Sequence, residues 1–95
     1  MTDQAADIPL VSVVIPMYQA EAWIVDTLAS VAAQTHPRVE TIVVDDGSSD
    51  RGADLVSVFA GSAERPVHLV STINNGVASA RNLGIAESTG VYVAL

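Results

Sequence analysis

Four short runs rich in β-branched residues, each separated from the next by a stretch of helical length, limit the fold more than anything else in the chain. They are Val11-Ser12-Val13-Val14-Ile15, Thr41-Ile42-Val43-Val44, Val67-His68-Leu69-Val70 and Val91-Tyr92-Val93-Ala94-Leu95. Each reads as a buried strand. Between the first two, Ala22 to Ala33 places Ile24, Leu28 and Val31 at helical spacing. Asp50 to Ala60 reads as a second helix with Leu55, Val58 and Phe59 on one side, and Gly61 is a plausible C′ stop. Val77 to Glu87 reads as a third. The connections are too long for hairpins. The order β-α-β-α-β-α-β therefore predicts an α/β fold: a Rossmann-like, mostly parallel sheet with helices on both faces.

Composition suits such a sheet. Hydrophobic residues make up 49% of the 95 residues and charged residues 16%, which gives a core and room for one domain. The formal charge is -7, with no lysine, so there are too few cations for the basic patch of a nucleic-acid binder. An anionic small ligand would have to be held by backbone N–H groups, helix N-termini, single arginines or a divalent metal. The absence of cysteine excludes disulfides, a thiolate metal site and a Cys nucleophile, and fits a reducing compartment. Met1-Thr2-Asp3-Gln4 lacks the basic start of a signal peptide, and no apolar run approaches the ~20 residues that span a bilayer. The reading is cytoplasmic, with membrane association left open for a longer parent. Residues 1–8 read as a flexible N-terminus and 9–95 as one folded unit.

In open parallel sheets, ligands bind beyond the carboxyl ends of the strands. The first strand runs into Pro16-Met17-Tyr18-Gln19-Ala20-Glu21. Pro16 is expected to end pairing and turn the chain, so that the loop presents Tyr18 to a flat ligand. The plain alternative is a strand-to-helix turn with a packed Tyr. Glu21, at the head of the first helix, complements the helix dipole. The second strand ends in Asp45-Asp46-Gly47-Ser48. Adjacent carboxylates repel, and adjacent strand residues point to opposite faces. One Asp is expected to face the cleft, where it can accept a hydrogen bond from a nucleobase. The other would brace the loop or cap the second helix. A turn that only caps that helix is the competing reading.

The third connection is Asn74-Asn75-Gly76, opening a helix that carries Arg81 and Gly84. Asn75 can cap that helix, whose first-turn N–H groups form an anion site. Arg81 can meet a phosphate or a carboxylate such as Asp45 or Asp46, or simply be solvated. Gly84 costs ~1 kcal/mol relative to Ala in mid-helix, so a close-packing reason is expected. His36 and His68 read as structural, and Trp23 as packed against the sheet or its neighbours.

Together these pieces resemble family 2 glycosyltransferases of the GT-A fold. The matching residues are Val11-Ser12-Val13-Val14-Ile15-Pro16-Met17-Tyr18-Gln19, Ser30-Val31-Ala32-Ala33-Gln34-Thr35, Val43-Val44-Asp45-Asp46-Gly47-Ser48-Ser49-Asp50 and Asn75-Gly76-Val77-Ala78-Ser79-Ala80-Arg81-Asn82-Leu83-Gly84. The resemblance covers the chain from about Pro9 to Leu95. It implies sugar transfer from a nucleotide-diphosphate donor, with inversion at the anomeric carbon, to a polysaccharide, lipid-linked or protein acceptor. It implies that the first loop and one Asp of the pair line the base and ribose pocket, with Asp46 as the base contact and Asp45 as a second contact or brace. Pro16 and Tyr18 occupy matching positions, and Gly76 and Arg81 match the segment flanking the nucleotide. The nucleotide-binding set is then Pro16, Tyr18, Glu21, Asp45, Asp46, Gly76 and Arg81. Gln19 stands where family members more often have Asn, which keeps the amide.

The resemblance also implies an Asp-x-Asp type motif directly after the fourth strand, holding Mn²⁺ or Mg²⁺ on the donor diphosphate. The general base and the acceptor-binding half would follow. Here the strand reaches Leu95 and the sequence ends. The expectation is a fold truncated after the fourth strand, with no catalytic or metal residue of its own, inactive alone, and open to self-association through a Val91–Leu95 edge. A nucleotide-binding module without catalysis is the alternative. A response-regulator receiver needs an Asp at the end of the third strand, where Val70-Ser71-Thr72-Ile73-Asn74 has none. A dinucleotide-binding oxidoreductase needs Gly-x-Gly-x-x-Gly where Pro16-Met17-Tyr18-Gln19-Ala20-Glu21 stands.

Overall fold

The computed structural model describes residues 8–90 and 92–94. Within them the chain runs β1 (Val11–Met17), α1 (Ile24–Ala32), β2 (Val39–Asp46), α2 (Gly52–Ser62), β3 (Val67–Thr72), α3 (Val77–Glu87) and β4 (Tyr92–Ala94). The strands are parallel, in the order β3-β2-β1-β4. The chain thus has the α/β architecture that its alternating runs predict.

Every residue of β2 is buried, because it is covered on both faces and paired on both sides. Ile15, Met17 and Val43 pack under α1 and α2 with Ile24, Leu28 and Val56. Ile42 and Val44 turn to the other face and meet Ala80 and Leu83 of α3. Fully burying such a side chain contributes ~1.5–3 kcal/mol. Ile24, Leu28 and Val31 form the inward stripe of α1, as their spacing predicts. Gly84 has the expected packing reason: a Cβ there would press on Val14 Cγ1 and Val44 Cγ2, so the α3 backbone lies directly on the sheet.

Pro16 does not end β1. Pairing with β2 continues through Pro16↔Val44 and Met17↔Asp45. Val11 turns its N–H toward β2, donating to the Arg38 carbonyl. Backbone groups alternate along a strand, so Pro16 faces the β4 side. The described residues of β4 pair with Val11, Ser12 and Val13, and Pro16 lies beyond those pairs.

Other expectations also change. Val58 is 74% exposed, and the inward face of α2 is Val56 with Leu55 and Phe59. At 3.6 residues per turn, Val58 lies roughly 100° from the centre of that stripe. Gly61 does not stop α2, which runs on to Ser62. Trp23 is 45% exposed at the N-cap of α1, because the helix starts at Ile24 and gives Ile24 the inward position. The N-cap of α3 is Gly76 rather than Asn75, without a side-chain cap bond.

Arg38 Nη1 donates to the Ile8 carbonyl and His36 Nε2 to the Pro9 carbonyl, both at 2.8 Å. The rest of the predicted flexible N-terminus, residues 1–7, lies outside the described residues, as do Val91 and Leu95 of the predicted fourth strand. β4 is an outer strand of the described sheet, with Val93 and Ala94 exposed. No described helix is long and apolar enough to cross a membrane.

Candidate functional site at the carboxyl ends of the strands

The loops after β1, β2 and β3 meet at one end of the sheet, and Asp45 and Asp46 at the end of β2 organise them. Both Asp residues are only 5% exposed. Asp45, on the α1–α2 face, accepts the Ser48 N–H at 3.0 Å, which tightens its own turn. Asp46, on the α3 face, accepts the Asn75 N–H at 2.8 Å and the Gly76 N–H at 3.0 Å, one on each carboxylate oxygen. A buried carboxylate needs such donors to offset its lost hydration.

Glycine is needed where these loops touch. Gly47 has φ 76, and a Cβ there would come within 2.8 Å of the Asn74 nitrogen. Gly76 has φ 96 and ψ 158, a region that only glycine enters readily.

On the α3 side of these loops lies an open cavity of about 250 Å³, lined by Pro16, Met17 and Tyr18 from β1 and its loop, Asp46, and Asn74, Gly76 and Val77. Of the predicted set, it brings together Pro16, Tyr18, Asp46 and Gly76. It does not include Asp45, Glu21 or Arg81. Tyr18 is 51% exposed at the rim rather than packed. Glu21 precedes α1 by a turn, and its N–H donates to Asp50 Oδ2 at 3.0 Å. Arg81 is half-buried on α3 and pairs with neither Asp45 nor Asp46, whose inward oxygens already hold backbone N–H groups. Its Nε is buried without a partner among the described residues.

A second cavity, of about 270 Å³, lies at the amino ends of β2 and β3, under Leu28, Val31, Phe59 and Arg65. It is far from the strand ends where the three loops converge. Among the described residues no group of three or more His, Cys, Asp or Glu side chains could hold a metal ion. The described residues therefore do not make a metal site, and no step through a metal follows from them.

The sequence reading missed Glu40. It lies near the amino end of β2, 6% exposed, and accepts the Ser12 hydroxyl at 2.5 Å and the Thr89 N–H at 2.8 Å. The Gly90 N–H donates to Ser12 Oγ at 2.8 Å, and His68 Nε2 stands 3.9 Å from Glu40 Oε1. Burial alone would raise the Glu40 carboxyl. The Ser12 and Thr89 bonds and the nearby His68 outweigh it and hold the group below the ordinary glutamate value. The signal available was an acid between Val39 and Thr41 at the start of an apolar run, a place where a carboxylate needs donors.

The pattern of glycosyl transferase family 2 matches residues 12–95. Among the proteins the chain resembles is the uncharacterized glycosyltransferase EpsJ of Bacillus subtilis (strain 168), 37% identical over 90% of this chain and 25% of that protein. The glycosyltransferase GlyG of Streptococcus pneumoniae serotype 4 is 33% identical over 90% of this chain and 29% of that protein. The solved mannosyltransferase PcManGT from Pyrobaculum calidifontis, in complex with GDP-Man and Mn²⁺, superposes with a TM-score of 0.84 and 31% identity. The likeness covers 90% of this chain and 26% of that one. The chain thus spans about a quarter of the length of these relatives. With the family pattern running from Ser12 through the last strand, and the same sheet in a solved transferase, this chain belongs to glycosyl transferase family 2.

Proposed function

We propose that the cavity beside Asp46 receives the nucleotide of a nucleotide-diphosphate sugar, in a protein that transfers the sugar with inversion. The observation that carries this is the convergence of Pro16, Tyr18, Asp46 and Gly76 on one cavity at the strand ends. Asp46 keeps lone pairs beyond those used by Asn75 and Gly76, and these accept an N–H from the base. The exposed ring of Tyr18 offers a flat face to the same base or its ribose. Gly76 opens α3 without a side chain, so the diphosphate can approach the positive end of that helix. Arg81, one turn into α3, is the cation of that helix and supplies the charge for a phosphate. Asp45 and Glu21 lie outside the cavity lining and act on it through the loops they join: Asp45 braces the turn after β2, and the Glu21 N–H ties the first loop to Asp50.

In the transfer itself an acceptor oxygen bonds to the anomeric carbon while the bond from that carbon to the diphosphate oxygen breaks, and the acceptor proton leaves to a base. The likeness to a transferase solved with GDP-Man and Mn²⁺ supports a divalent metal, Mn²⁺ or Mg²⁺, for the complete protein. Bound on the donor diphosphate, it would stabilise charge on the leaving group. Its ligands, the general base and the acceptor site, whether for polysaccharide, lipid-linked or protein acceptors, are proposed to follow the described residues. The outer position of β4 supports self-association of this chain through that edge.

Calorimetric titration of the chain with UDP and with GDP tests the reading. We expect binding of at least one nucleotide, weakened about ten-fold or more by Asp46→Asn, which presents an amide to the base and loses a charged acceptor. Binding that Asp46→Asn leaves unchanged rejects the pocket. Nucleotide binding without sugar transfer by the complete protein identifies a binding module instead.

A further inference from the structure

Tyr18 stands at the mouth of the cavity with half its surface in solvent, so little packing of its own fixes the ring. Its place is set by its neighbours in the chain. Met17 is fully buried, with its Sδ beside Gly52 where α2 begins. On the other side Gln19 adopts φ 52, a left-handed conformation that a long side chain seldom occupies. The reason for this conformation lies in what Gln19 bonds. Its Oε1 accepts the Ser49 N–H at 2.7 Å and the Asp50 N–H at 3.2 Å, and its Nε2 donates to Ser49 Oγ at 2.9 Å. Its own N–H donates to Ser48 Oγ at 2.9 Å. Two residues on, the Glu21 N–H donates to Asp50 Oδ2. Every one of these bonds joins the β1–α1 loop to the β2–α2 loop.

A strained backbone held by many converging bonds is over-determined by its surroundings, and such residues collect where geometry matters for function. The amide of Gln19 holds Ser49 and Asp50, the residues that lead into α2, and Asp50 in turn accepts the first amide of that helix, Gly52 N–H, on Oδ1 at 2.9 Å. Asp50 is thus tied both to the first loop and to the first turn of α2, so the start of α2 and the Tyr18 backbone cannot move independently. Asp46 meanwhile ties the third loop to β2 through Asn75 and Gly76. The three loops form one rim, and a rim ordered beforehand loses less freedom when a ligand arrives.

We propose that Gln19 is a positioning residue: by clamping the first loop to the start of α2, it sets Tyr18 against the cavity and so governs ligand affinity without touching the ligand. The effect on affinity rests on the nucleotide reading above; the clamp itself does not. Gln19→Gly is the sharp test, since glycine is at ease at φ 52 and deletes only the amide. Gln19→Asn, one methylene short, is the second variant should the first not fold.

Amide exchange, the Tyr18 ring resonances, thermal midpoint, and UDP and GDP titrations are measured on the chain and its variants. In Gln19→Gly we expect exchange at Ser49 and Asp50 to quicken about ten-fold or more, with Asn75 and Gly76 unchanged. We expect the Tyr18 ring resonances to shift toward averaged values and nucleotide binding to weaken about five-fold or more, with little change in thermal midpoint. Gln19→Asn should fall between. Unchanged exchange at Ser49 and Asp50 with unchanged Tyr18 resonances overturns the clamp, whatever the nucleotides do. A released clamp with unchanged affinity overturns the positioning role. If the parent chain binds neither nucleotide, the nucleotide reading fails, and the Tyr18 resonances still decide whether Gln19 sets the ring.

Discussion

The Glu40 carboxylate holds both the N–H and the hydroxyl of Thr89, across 49 residues of sequence, at 2.8 and 3.0 Å. With the Ser12–Gly90 bond, this pins the end of the α3–β4 connection to the feet of β1 and β2. The register Val11↔Tyr92 follows from that anchor, because a strand that starts at a fixed point cannot slip.

Removing the charge should therefore loosen β4 more than the rest of the sheet. Glu40→Gln is expected to cost ~2–3 kcal/mol, the scale for buried hydrogen bonds to a charged group. Hydrogen exchange should quicken first at Thr89 and Gly90 and last at the centre of β2. Acid should act alike. The folded-state pKa of Glu40 lies below its unfolded value, so its contribution is complete above the ordinary glutamate range. The contribution is lost as pH falls through the folded value. His68 on β3 and Glu87 at the end of α3 are the other titratable groups at that surface. An acid-unfolding curve for Glu40→Gln that falls parallel to the parent's below about pH 5 would contradict this.

Two helical glycines should respond to alanine with opposite signs. At Gly61 a Cβ meets nothing within 4 Å, so Gly61→Ala should stabilise by up to ~1 kcal/mol through helix propensity. At Gly84 the added methyl meets Val14 and Val44, and overpacking of ~1–3 kcal/mol should outweigh the same gain. Thermal melts of both variants decide the matter; a stabilised Gly84→Ala would mean that α3 rides higher on the sheet than described.

Pro16 should be nearly dispensable for stability. Its missing N–H points away from β2, so Pro16→Ala breaks no β1–β2 bond and should cost no more than ~1 kcal/mol, through chain entropy. Exchange protection at Met17 and Asp45 should stay as in the parent.

Asp46→Ala leaves the Asn75 and Gly76 N–H groups without their acceptor and is expected to cost ~1–3 kcal/mol. The loss should appear as faster exchange at those two amides, while Ser48, held by Asp45, keeps its protection.

The alternation of apolar strand runs with Ile24-Leu28-Val31 periodicity determined the architecture, because burial on two faces and helical repeat are written in neighbouring residues. The Asp45-Asp46-Gly47-Ser48 segment likewise announced itself, since two adjacent carboxylates at a strand end need hydrogen-bond donors or a ligand. What the tertiary structure alone decided were matters of distance across the chain. Pro16 sits within β1 because its missing N–H faces away from β2, Val58 faced water because of how α2 is rotated on its axis, and Asp46 found its donors 29 and 30 residues away. The roles of Glu40 and Gln19 depend on partners in Ser12, Thr89 and Ser49 that no local pattern predicts. A buried polar group is defined by what folding brings to it, and that information belongs to the packing of strands and loops, not to any short stretch of sequence.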